Sequence, residues 1–282
     1  SFAGITQVTL TQVKVAPNLV FNDVTKTFGD ANFNLTATSS STGAFTFTIS
    51  DTTLASISGS TVSIVTAGIT IATVSQTADS KYLAATATMT LTINKANPTI
   101  VFNDVTKNFG DVDFDLVASS NSSGTFSFIV SDTSVATVNS STITIIGGGS
   151  TIITLNQSEV NNYNAGVATM TLTVNKASIS ITFDDLTKTY GDPNFEFTAT
   201  SSSTGAFSFT ISNTSIATMV DSTTASIAAV GTSTVEVQQA ADDNYNSSTA
   251  TMTLTIIKGN PSIVFDDLIK NINDPNFNFM AS

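Results

Sequence analysis

The chain has 282 residues, of which 41% are hydrophobic and only 11% are charged, and its 9 lysines and 21 acidic residues give a net charge of −12. This acidic balance disfavours nucleic acid and anionic membranes as partners. Arginine, histidine, cysteine and tryptophan are absent, which excludes imidazole and thiol catalysis and Cys/His zinc sites, so we expect a non-enzymatic chain without a cofactor.

The dominant feature of the chain is a repeat. Phe21, Phe102, Phe183 and Phe265 are separated by 81, 81 and 82 residues, and other residue types keep nearly the same spacing. A unit of this length is too long for a solenoid repeat and long enough for a small domain. The predicted domains are the end of a preceding repeat (1–16), repeat one (17–97), repeat two (98–177), repeat three (178–260) and the start of a further repeat (261–282).

Each repeat has the sequence pattern of short β-strands. The segment "TATMTLTI" at 249–256 alternates apolar and threonine side chains, which is the period of a strand with one buried and one solvent-facing side. No helical apolar stripe occurs. In repeat two, strands are predicted near 98–105, 112–119, 125–131, 135–139, 142–146, 151–157 and 166–174.

Seven strands at this spacing predict an all-β fold made of tandem Ig-like β-sandwich domains, with about seven strands in each. Phe126 and Phe128 are expected to fill the core, since the chain has no Cys pair or Trp. Linkers such as "NKANP" are short, so the domains are expected to lie end to end as a rod. No apolar run approaches the roughly 20 residues that span a bilayer, so no membrane insertion is expected in this segment.

A motif near the start of each repeat concentrates the few charges; in repeat three it reads "LTKTYGDPNFEF". Three charged positions keep their residue type in every copy: the Asp directly before this stretch, and a Lys and an Asp within it. These residues are Asp23, Lys26 and Asp30; Asp104, Lys107 and Asp111; Asp185, Lys188 and Asp192; and Asp267, Lys270 and Asp274. The Gly between the last two is replaced by Asn273 in the fourth copy, which predicts a left-handed backbone there.

Topology predicts that this motif lies near a domain junction. In a sandwich of seven antiparallel strands the first and last strands run the same way, so the first turn and the exit of the last strand lie at one end. The loop "ADDNYN" of repeat three is expected to approach that end from the other side. The residues expected to cluster there are Asp104, Lys107, Asp111 and Lys176.

Three interpretations of the motif stay open. The first is a turn held by local hydrogen bonds and a partly exposed Lys/Asp network. The second is a calcium site, because the acidic residues alternate as at the start of an EF-hand loop, although Leu or Phe stands where that loop needs Gly. The calcium candidates are Asp104, Asp111, Asp113, Asp185 and Asp192. The third is an isopeptide bond from a buried Lys, but these lysines are expected to be exposed.

Other recurring positions have structural interpretations. Asp51 and Asp132 become Asn213, so we expect a side-chain oxygen that caps a turn and not a required charge. The glycines at 147–149 lack a following Lys and helix, so we expect a flexible hairpin and not a phosphate loop. A buried ring with its hydroxyl bonded to backbone is expected for the tyrosine before each last strand. These tyrosines are Tyr82, Tyr163 and Tyr245.

The pattern "ITFDDLTKTYGDPNFEFTATSSSTGAFSFTIS", followed by "DDNYNSSTATMTLTIIK", resembles the bacterial Ig-like repeats that occur in tandem in very large surface proteins. It is especially similar to those of Bacteroidota gliding and attachment adhesins. The resemblance covers the entire chain and implies a secreted, cell-surface, non-enzymatic rod. It identifies no ligand, and similar modules also occur in phage fibres.

We therefore expect a structural stalk segment of an extracellular cell-surface adhesin or filament, which spaces a distal binding region from the cell. The expected partners are neighbouring repeats of the same chain, with lateral self-association or surface glycans as further options. The alternatives are a repeated carbohydrate- or surface-binding module and a phage fibre segment. A binding module would need an exposed aromatic platform, whereas Phe45, Phe126 and Phe207 are expected to face inward.

Overall fold

The computed structural model describes residues 10–264, 267, 269–276 and 278. The regular secondary structure of these residues consists of β-strands. None of the described residues form a helix long and apolar enough to cross a membrane. The chain divides into two compact units. One comprises the residues up to 105 with 113–144 and 151–172, and the other comprises 106–112, 145–150 and the residues from 173 onward. The predicted fragments 1–16 and 261–282 lie partly outside the described residues.

Repeat one folds into strands that form three sheets. Its strands are β1 (Leu19–Val20), β2 (Val24–Thr27), β3 (Phe33–Asn34), β4 (Thr38–Ser39), β5 (Phe45–Ile49), β6 (Ala55–Ser58), β7 (Thr61–Ile64), β8 (Gly68–Gln76) and β9 (Ala85–Asn94). The strand orders are β2-β9-β8-β5, β3-β7-β6 and β1-β4. β2 runs parallel to β9, and β9 and β5 each pair antiparallel with β8. Packed sheets of this strand order are the Ig-like sandwich arrangement.

Repeats two and three follow the same plan. Repeat two has β10 (Ile100–Val101), β11 (Val105–Asn108), β12 (Phe114–Asp115), β13 (Ser119–Ser120), β14 (Phe126–Val130), β15 (Ala136–Asn139), β16 (Thr142–Ile145), β17 (Gly149–Gln157) and β18 (Gly166–Asn175). Repeat three has β19 (Leu186–Thr189), β20 (Phe195–Glu196), β21 (Phe207–Ile211), β22 (Ala217–Met219), β23 (Thr224–Ile227), β24 (Gly231–Gln239) and β25 (Ser248–Ile257). Their larger sheets have the orders β11-β18-β17-β14, β12-β16-β15, β19-β25-β24-β21 and β20-β23-β22.

The all-β fold and the tandem Ig-like sandwiches predicted from the sequence are confirmed. Each of the seven segments predicted in repeat two contains a strand, but the first two segments each form two short strands. The first segment was predicted to end at 105, whereas β11 runs from Val105 to Asn108. Lys107 therefore lies in a strand, as do Lys26 in β2 and Lys188 in β19, and not in the turn where the sequence placed them.

Alternation along the last strand builds the core. In β9 the side chains of Met89, Leu91 and Ile93 are buried, at 2%, 0% and 2% exposed, whereas the threonines between them lie on the opposite side of the sheet. Phe45 and Phe47 pack against this core while remaining half-buried. Phe45 and Phe47 thus contribute to the core of repeat one. Phe126 and Phe128, which were predicted to fill the core of repeat two, are half-buried.

The left-handed backbone predicted in the motif is observed at its glycines. Gly29, Gly110 and Gly191 have φ of 92°, 91° and 99°, a region that residues with a Cβ rarely adopt. Among the described residues the only non-glycine with a positive φ is Ser140. The prediction of a left-handed backbone at Asn273 is therefore wrong.

Candidate functional site: the junctions between repeats

The first Asp of the motif fastens the start of each repeat to its last strand. The Asp23 carboxylate accepts a hydrogen bond from the Thr90 N–H at 2.6 Å. In repeat two Asp104 accepts from Thr171 at 2.7 Å, and in repeat three Asp185 accepts from Thr253 at 2.6 Å. Because the two strands run parallel, a side chain just before the first strand reaches a backbone N–H of the last. These Asp residues hold the strand pair together within one repeat.

The second Asp closes the turn after the first strand. The Asp30 carboxylate accepts from the Thr27 N–H at 2.9 Å, while the Asp30 N–H donates to the Thr27 carbonyl at 3.0 Å. Asp111 makes the same two hydrogen bonds with Asn108, and Asp192 makes them with Thr189. The carboxylate and the left-handed glycine before it together specify a tight turn.

Two lysines of the motif contact aromatic rings. Lys26 Nζ lies 4.9 Å from the centre of the Phe33 ring, and Lys188 Nζ lies 5.3 Å from that of Phe195. Such a contact stabilises by about 0.5–1 kcal/mol at an exposed site. The Lys/Asp network that the sequence suggested is therefore replaced at these two positions by cation–π contacts.

Two of the residues expected to cluster at the second junction make hydrogen bonds within their own repeat. Asp104 bonds to Thr171 and Asp111 to Asn108, each within its own repeat. Among the described residues no group of three or more acidic side chains could hold a metal ion. All five calcium candidates have oxygens bonded to N–H or hydroxyl groups; Asp113, for example, accepts from the Thr144 hydroxyl at 2.9 Å. Lys176, in contrast, does reach the loop of repeat three.

The contacts between successive repeats come from a loop before each last strand, which we call the junction loop (residues 77–84, 158–165 and 240–247). In the junction loop of repeat two, the Asn162 carbonyl accepts from the Ala96 N–H at 2.9 Å. The Ala96 carbonyl accepts from the Asn164 N–H at 2.9 Å, so Ala96 forms a parallel bridge with the loop. The linker between repeats one and two is therefore joined to repeat two by a one-residue backbone bridge.

The Asn162 side chain extends this contact back to repeat one. Its Oδ1 accepts from the Ala67 N–H at 2.9 Å, in a segment we call the receptor turn (residues 65–67, 146–148 and 228–230). Beside it, the rings of Phe28 and Tyr163 meet edge-on, with centroids 5.5 Å apart and planes at 77°. Lys95 and Glu159 form an ion pair across the same junction. All of these residues lie in one compact unit.

The second junction repeats this arrangement inside the other compact unit. Ala177 donates to the Asn244 carbonyl at 2.8 Å and accepts from the Asn246 N–H at 2.9 Å. The Asn244 Oδ1 accepts from the Gly148 N–H at 2.9 Å. The Lys176 ammonium donates to the Asp242 carbonyl. The expected approach of Lys176 to this loop is thus present, but its partner is a backbone carbonyl and not a carboxylate.

Two expectations are overturned at the second junction. The rings of Phe109 and Tyr245 meet edge-on with centroids 5.4 Å apart, so the tyrosine is half-buried against the preceding repeat and not buried in its own core. Gly148 belongs to the receptor turn, where a Cβ would lie 2.5 Å from the Asp243 carbonyl oxygen. The glycine segment at 147–149 is therefore a contact surface for the next repeat, not a free hairpin.

The junction loop of repeat one contacts the segment before it in the same way. The Val15 N–H donates to the Lys81 carbonyl at 3.2 Å, and the Leu83 N–H donates to the Val15 carbonyl at 2.9 Å. Lys81 stands where the other loops have Asn162 and Asn244, and its side chain has no acceptor atom. The backbone bridge is thus common to the three loops, whereas the side-chain bond to a receptor turn needs Asn.

Inside two of the junction loops a single carboxylate organises the backbone. Asp79 accepts five hydrogen bonds, from the Ser41 hydroxyl, from the N–H and hydroxyl of Thr42, and from the N–H groups of Lys81 and Tyr82. The pKa of Asp79 is held far below its usual range, chiefly by the Thr42 N–H. Repeat two has Val160 at this position.

Asp242 makes the same five hydrogen bonds in repeat three, with the Ser203 hydroxyl, with Thr204 and with the N–H groups of Asn244 and Tyr245. The Ser203 hydroxyl is the largest of the causes that hold the pKa of Asp242 far below its usual range. This carboxylate fixes the loop from which the Asn–Tyr pair contacts the preceding repeat. One signal of it was present in the sequence, the recurrence of Asp79 at Asp242.

The lowered pKa values of Asp79 and Asp242 predict that repeats one and three lose stability in acid. A folded-state pKa below the ordinary 3.8 contributes stability that is present above 3.8 and is lost as pH falls through the folded pKa. We expect Asp79→Asn to lower the stability of repeat one at pH 7 and to flatten its decline between pH 5 and pH 2. Hydrogen exchange measured peptide by peptide would follow each repeat separately.

Val160→Asp is the matched gain-of-function variant. Ser122 and Ser123 occupy the positions of Ser41 and Thr42, so the new carboxylate has donors within its reach. We expect repeat two to become more stable at pH 7 and to acquire the acid dependence of repeat one. An unchanged pH profile in both variants would contradict the role assigned to the carboxylate.

The turn caps inferred from the Asp-to-Asn exchange are confirmed. Asp51 Oδ1 accepts from the N–H and hydroxyl of Thr53 at 2.9 and 2.6 Å, and Asn213 Oδ1 accepts from both groups of Ser215. The Thr53 hydroxyl is the main cause that lowers the pKa of Asp51. Because the amide accepts the same bonds, the charge is not required.

A buried glutamine at the end of the strand before each junction loop was missed by sequence reasoning. Gln157 is 2% exposed; its amide donates to the carbonyls of Ser122 and Gly124, both at 3.0 Å, and its Oε1 accepts from the Ser120 hydroxyl at 2.8 Å. Gln76 and Gln239 make equivalent bonds. Their spacing of 81 and 82 residues was the available signal.

The aromatic residues that would serve a binding module are half-buried. Phe126 and Phe128 line an open groove of about 560 Å³ with Leu116, Val138 and Ser140. Phe45 and Phe207 are half-buried like Phe126, and their rings contact Phe47 and Phe209. Since these rings are half-buried against neighbouring Phe rings, they do not form an exposed stacking platform.

No protein-family model matches the chain, and no curated protein sequence matches it. Among solved structures, it is similar to Drosophila N-cadherin EC1-4, at 10% identity and a TM-score of 0.25, covering 83% of this chain and 74% of that chain. It is also similar to the titin I-band fragment I67-I69, at 10% identity and a TM-score of 0.34, covering 86% of this chain and 99% of that chain. Surface layer protein SbsC domains 1-6 are similar at 13% identity and a TM-score of 0.29, covering 90% of this chain and 42% of that chain. The chain spans less than half of the SbsC structure, and at these TM-scores the likenesses carry no inference about function.

Proposed function

We propose that this chain is a non-enzymatic structural segment of an extracellular cell-surface adhesin or filament, in which stiffly joined repeats space a distal binding region from the cell. The observation that carries the proposal is the recurrence of one contact set at two successive junctions. In both, the linker forms a backbone bridge, an Asn side chain bonds a receptor turn, and a Tyr ring meets a Phe ring. These contacts restrict the orientation of one domain on the next.

The surface chemistry supports the same proposal. The net charge of −12 keeps a protein soluble and discourages non-specific adhesion. The solvent-facing sides of the last strands carry threonines, and the Asp residues of the motif are used in turns and strand pairing. The partners that we propose are the neighbouring repeats of the same chain. The cell-surface location is part of this proposal and does not rest on the distant structural likenesses.

The proposal predicts energetic coupling across the first junction. In a double-mutant cycle with Phe28→Ala and Tyr163→Ala, we expect a coupling of about 0.5–1.5 kcal/mol, as for other edge-on aromatic pairs. Hydrogen exchange in repeats one and two would measure it. The second junction, with Phe109 and Tyr245, is the internal control, since amide exchange in the segments around it should not change.

Small-angle X-ray scattering tests the mechanical consequence. We expect an elongated particle for the unaltered chain and greater flexibility for the Phe28→Ala, Tyr163→Ala double variant. Calcium followed by chelator should leave both profiles unchanged. A compact particle, or zero coupling in the cycle, would rule out a stalk built from docked repeats, and stiffening by calcium would assign the junction to a metal site.

A further inference from the structure

Repeat three carries a third copy of the surface that the junction loops occupy in repeats one and two. Tyr190 corresponds to Phe28 and Phe109, and Gly259 corresponds to the linker residues Ala96 and Ala177. Val230 is the last residue of the receptor turn of repeat three and corresponds to Ala67 and Gly148. We call Tyr190, Val230 and Gly259 the third junction surface. All three residues lie in one compact unit.

This third surface differs from the first two in exposure. Tyr190 is 54% exposed and Val230 is 41% exposed, and Gly259 is also exposed. Their counterparts at the first and second junctions are half-buried, because a Tyr ring, an Asn side chain and a loop backbone lie against them. Two occupied copies in the same chain show what kind of group the exposed copy accommodates.

We propose that the third junction surface binds the Asn–Tyr junction loop of a further Ig-like repeat of this kind. The proposal rests on the proposed function and names the partner of one surface. The Val230 N–H would donate to the Asn side-chain oxygen, as the Ala67 N–H does at 2.9 Å. Gly259 would form the two-bond backbone bridge that Ala96 forms, and the Tyr190 ring would meet the Tyr of the loop.

The side chain at the receptor turn selects between loop types. At Gly148 a Cβ would lie 2.5 Å from the Asp243 carbonyl oxygen, so the Asp-Asp-Asn-Tyr loop of repeat three docks only where the receptor turn has glycine. The Val-Asn-Asn-Tyr loop of repeat two docks against Ala67, which has a Cβ. Val230 also has a Cβ. The third junction surface therefore takes a loop with the backbone path of repeat two and rejects the path seen in repeat three.

Two extended chains test this selection. One consists of residues 1–260 followed by a second copy of 98–177, and the other of residues 1–260 followed by a second copy of 179–260, so that both keep the linker length of the natural junctions. Amide exchange of Val230, Ala67 and Gly148 would be measured by NMR with selectively labelled amino acids. We expect the Val230 amide to exchange at least ten-fold more slowly in the first chain than in residues 1–260 alone, with little slowing in the second chain.

Val230→Gly in the second chain is the matched control, because removing the side chain should let the repeat-three loop dock and slow exchange at position 230. Unchanged exchange of Val230 in the first chain, with Ala67 and Gly148 still protected, would overturn this inference alone. Loss of protection at Ala67 and Gly148 would instead overturn the proposed function. Protection of Val230 that rises with the concentration of the unextended chain would replace the loop by a second copy as the occupant.

Discussion

Replacing Gly43 by Ala is expected to destabilise repeat one by about 3 kcal/mol, a large share of the stability of a domain of this size. A Cβ at this position would lie 1.8 Å from the Thr77 carbonyl oxygen and 2.8 Å from its carbon. The neighbouring backbone cannot yield easily, because Thr77 donates to Ala44 at 3.1 Å and the Gly43 carbonyl accepts from Gln76 at 3.0 Å. Strands β5 and β8 would have to separate at this end.

Hydrogen exchange resolved by peptide would measure the effect, with repeats two and three as references in the same molecule. We expect protection in β5 and β8 to fall about 100-fold, since each tenfold change corresponds to about 1.4 kcal/mol. Gly29→Ala is the matched control. Gly29 has a φ of 92°, and a Cβ there would meet no atom within 4 Å, so only backbone strain of about 1–2 kcal/mol applies. Equal effects of the two variants would contradict the steric explanation.

Local patterns were enough to predict the fold. The strict alternation in "TATMTLTI" follows from a strand with one side in the core, and β25 has that burial pattern. The left-handed position was predicted from the exchange of Gly for Asn in the fourth copy of the motif. Gly29 has that backbone, whereas Asn273 does not. The parallel relation of the first and last strands followed from strand counting and is observed between β2 and β9.

The candidate site was predicted only in part, because its contacts join residues that no local pattern connects. Asp104 was placed in a junction cluster, and its carboxylate bonds the Thr171 N–H of its own repeat, 67 residues away in sequence. The general position of Lys176 near the next loop was foreseen, whereas its acceptor, a backbone carbonyl, was not. The edge-on contact of Phe28 and Tyr163 needed the spatial relation of two repeats, which a repeat's own sequence does not contain.

Replacing Gln157 by Leu is expected to destabilise repeat two by about 2–5 kcal/mol, because similar volume is kept while buried hydrogen-bonding groups lose their partner. The Ser122 and Gly124 carbonyls each accept from the Gln157 amide at 3.0 Å, and the Ser120 hydroxyl donates to its Oε1 at 2.8 Å. Each unsatisfied buried group costs about 1–3 kcal/mol. Peptide-resolved hydrogen exchange in β14 and β17 would measure the loss.

Gln157→Glu separates the hydrogen bonds from the packing. A carboxylate at this buried position would face two carbonyl oxygens, and desolvation would disfavour its charged form, so its folded-state pKa would rise above the unfolded value of about 4.3. Below the unfolded-state pKa the protonated acid donates one hydrogen bond, and the stability that this bond gives repeat two is fully present. As pH rises through the folded-state pKa, that contribution is lost. We therefore expect the Glu variant to approach the unaltered repeat at pH 4 and to resemble the Leu variant at pH 7. If the Leu variant keeps full protection in β14 and β17, or the Glu variant shows no dependence on pH, the glutamine contributes by volume alone and its recurrence in every repeat reflects packing.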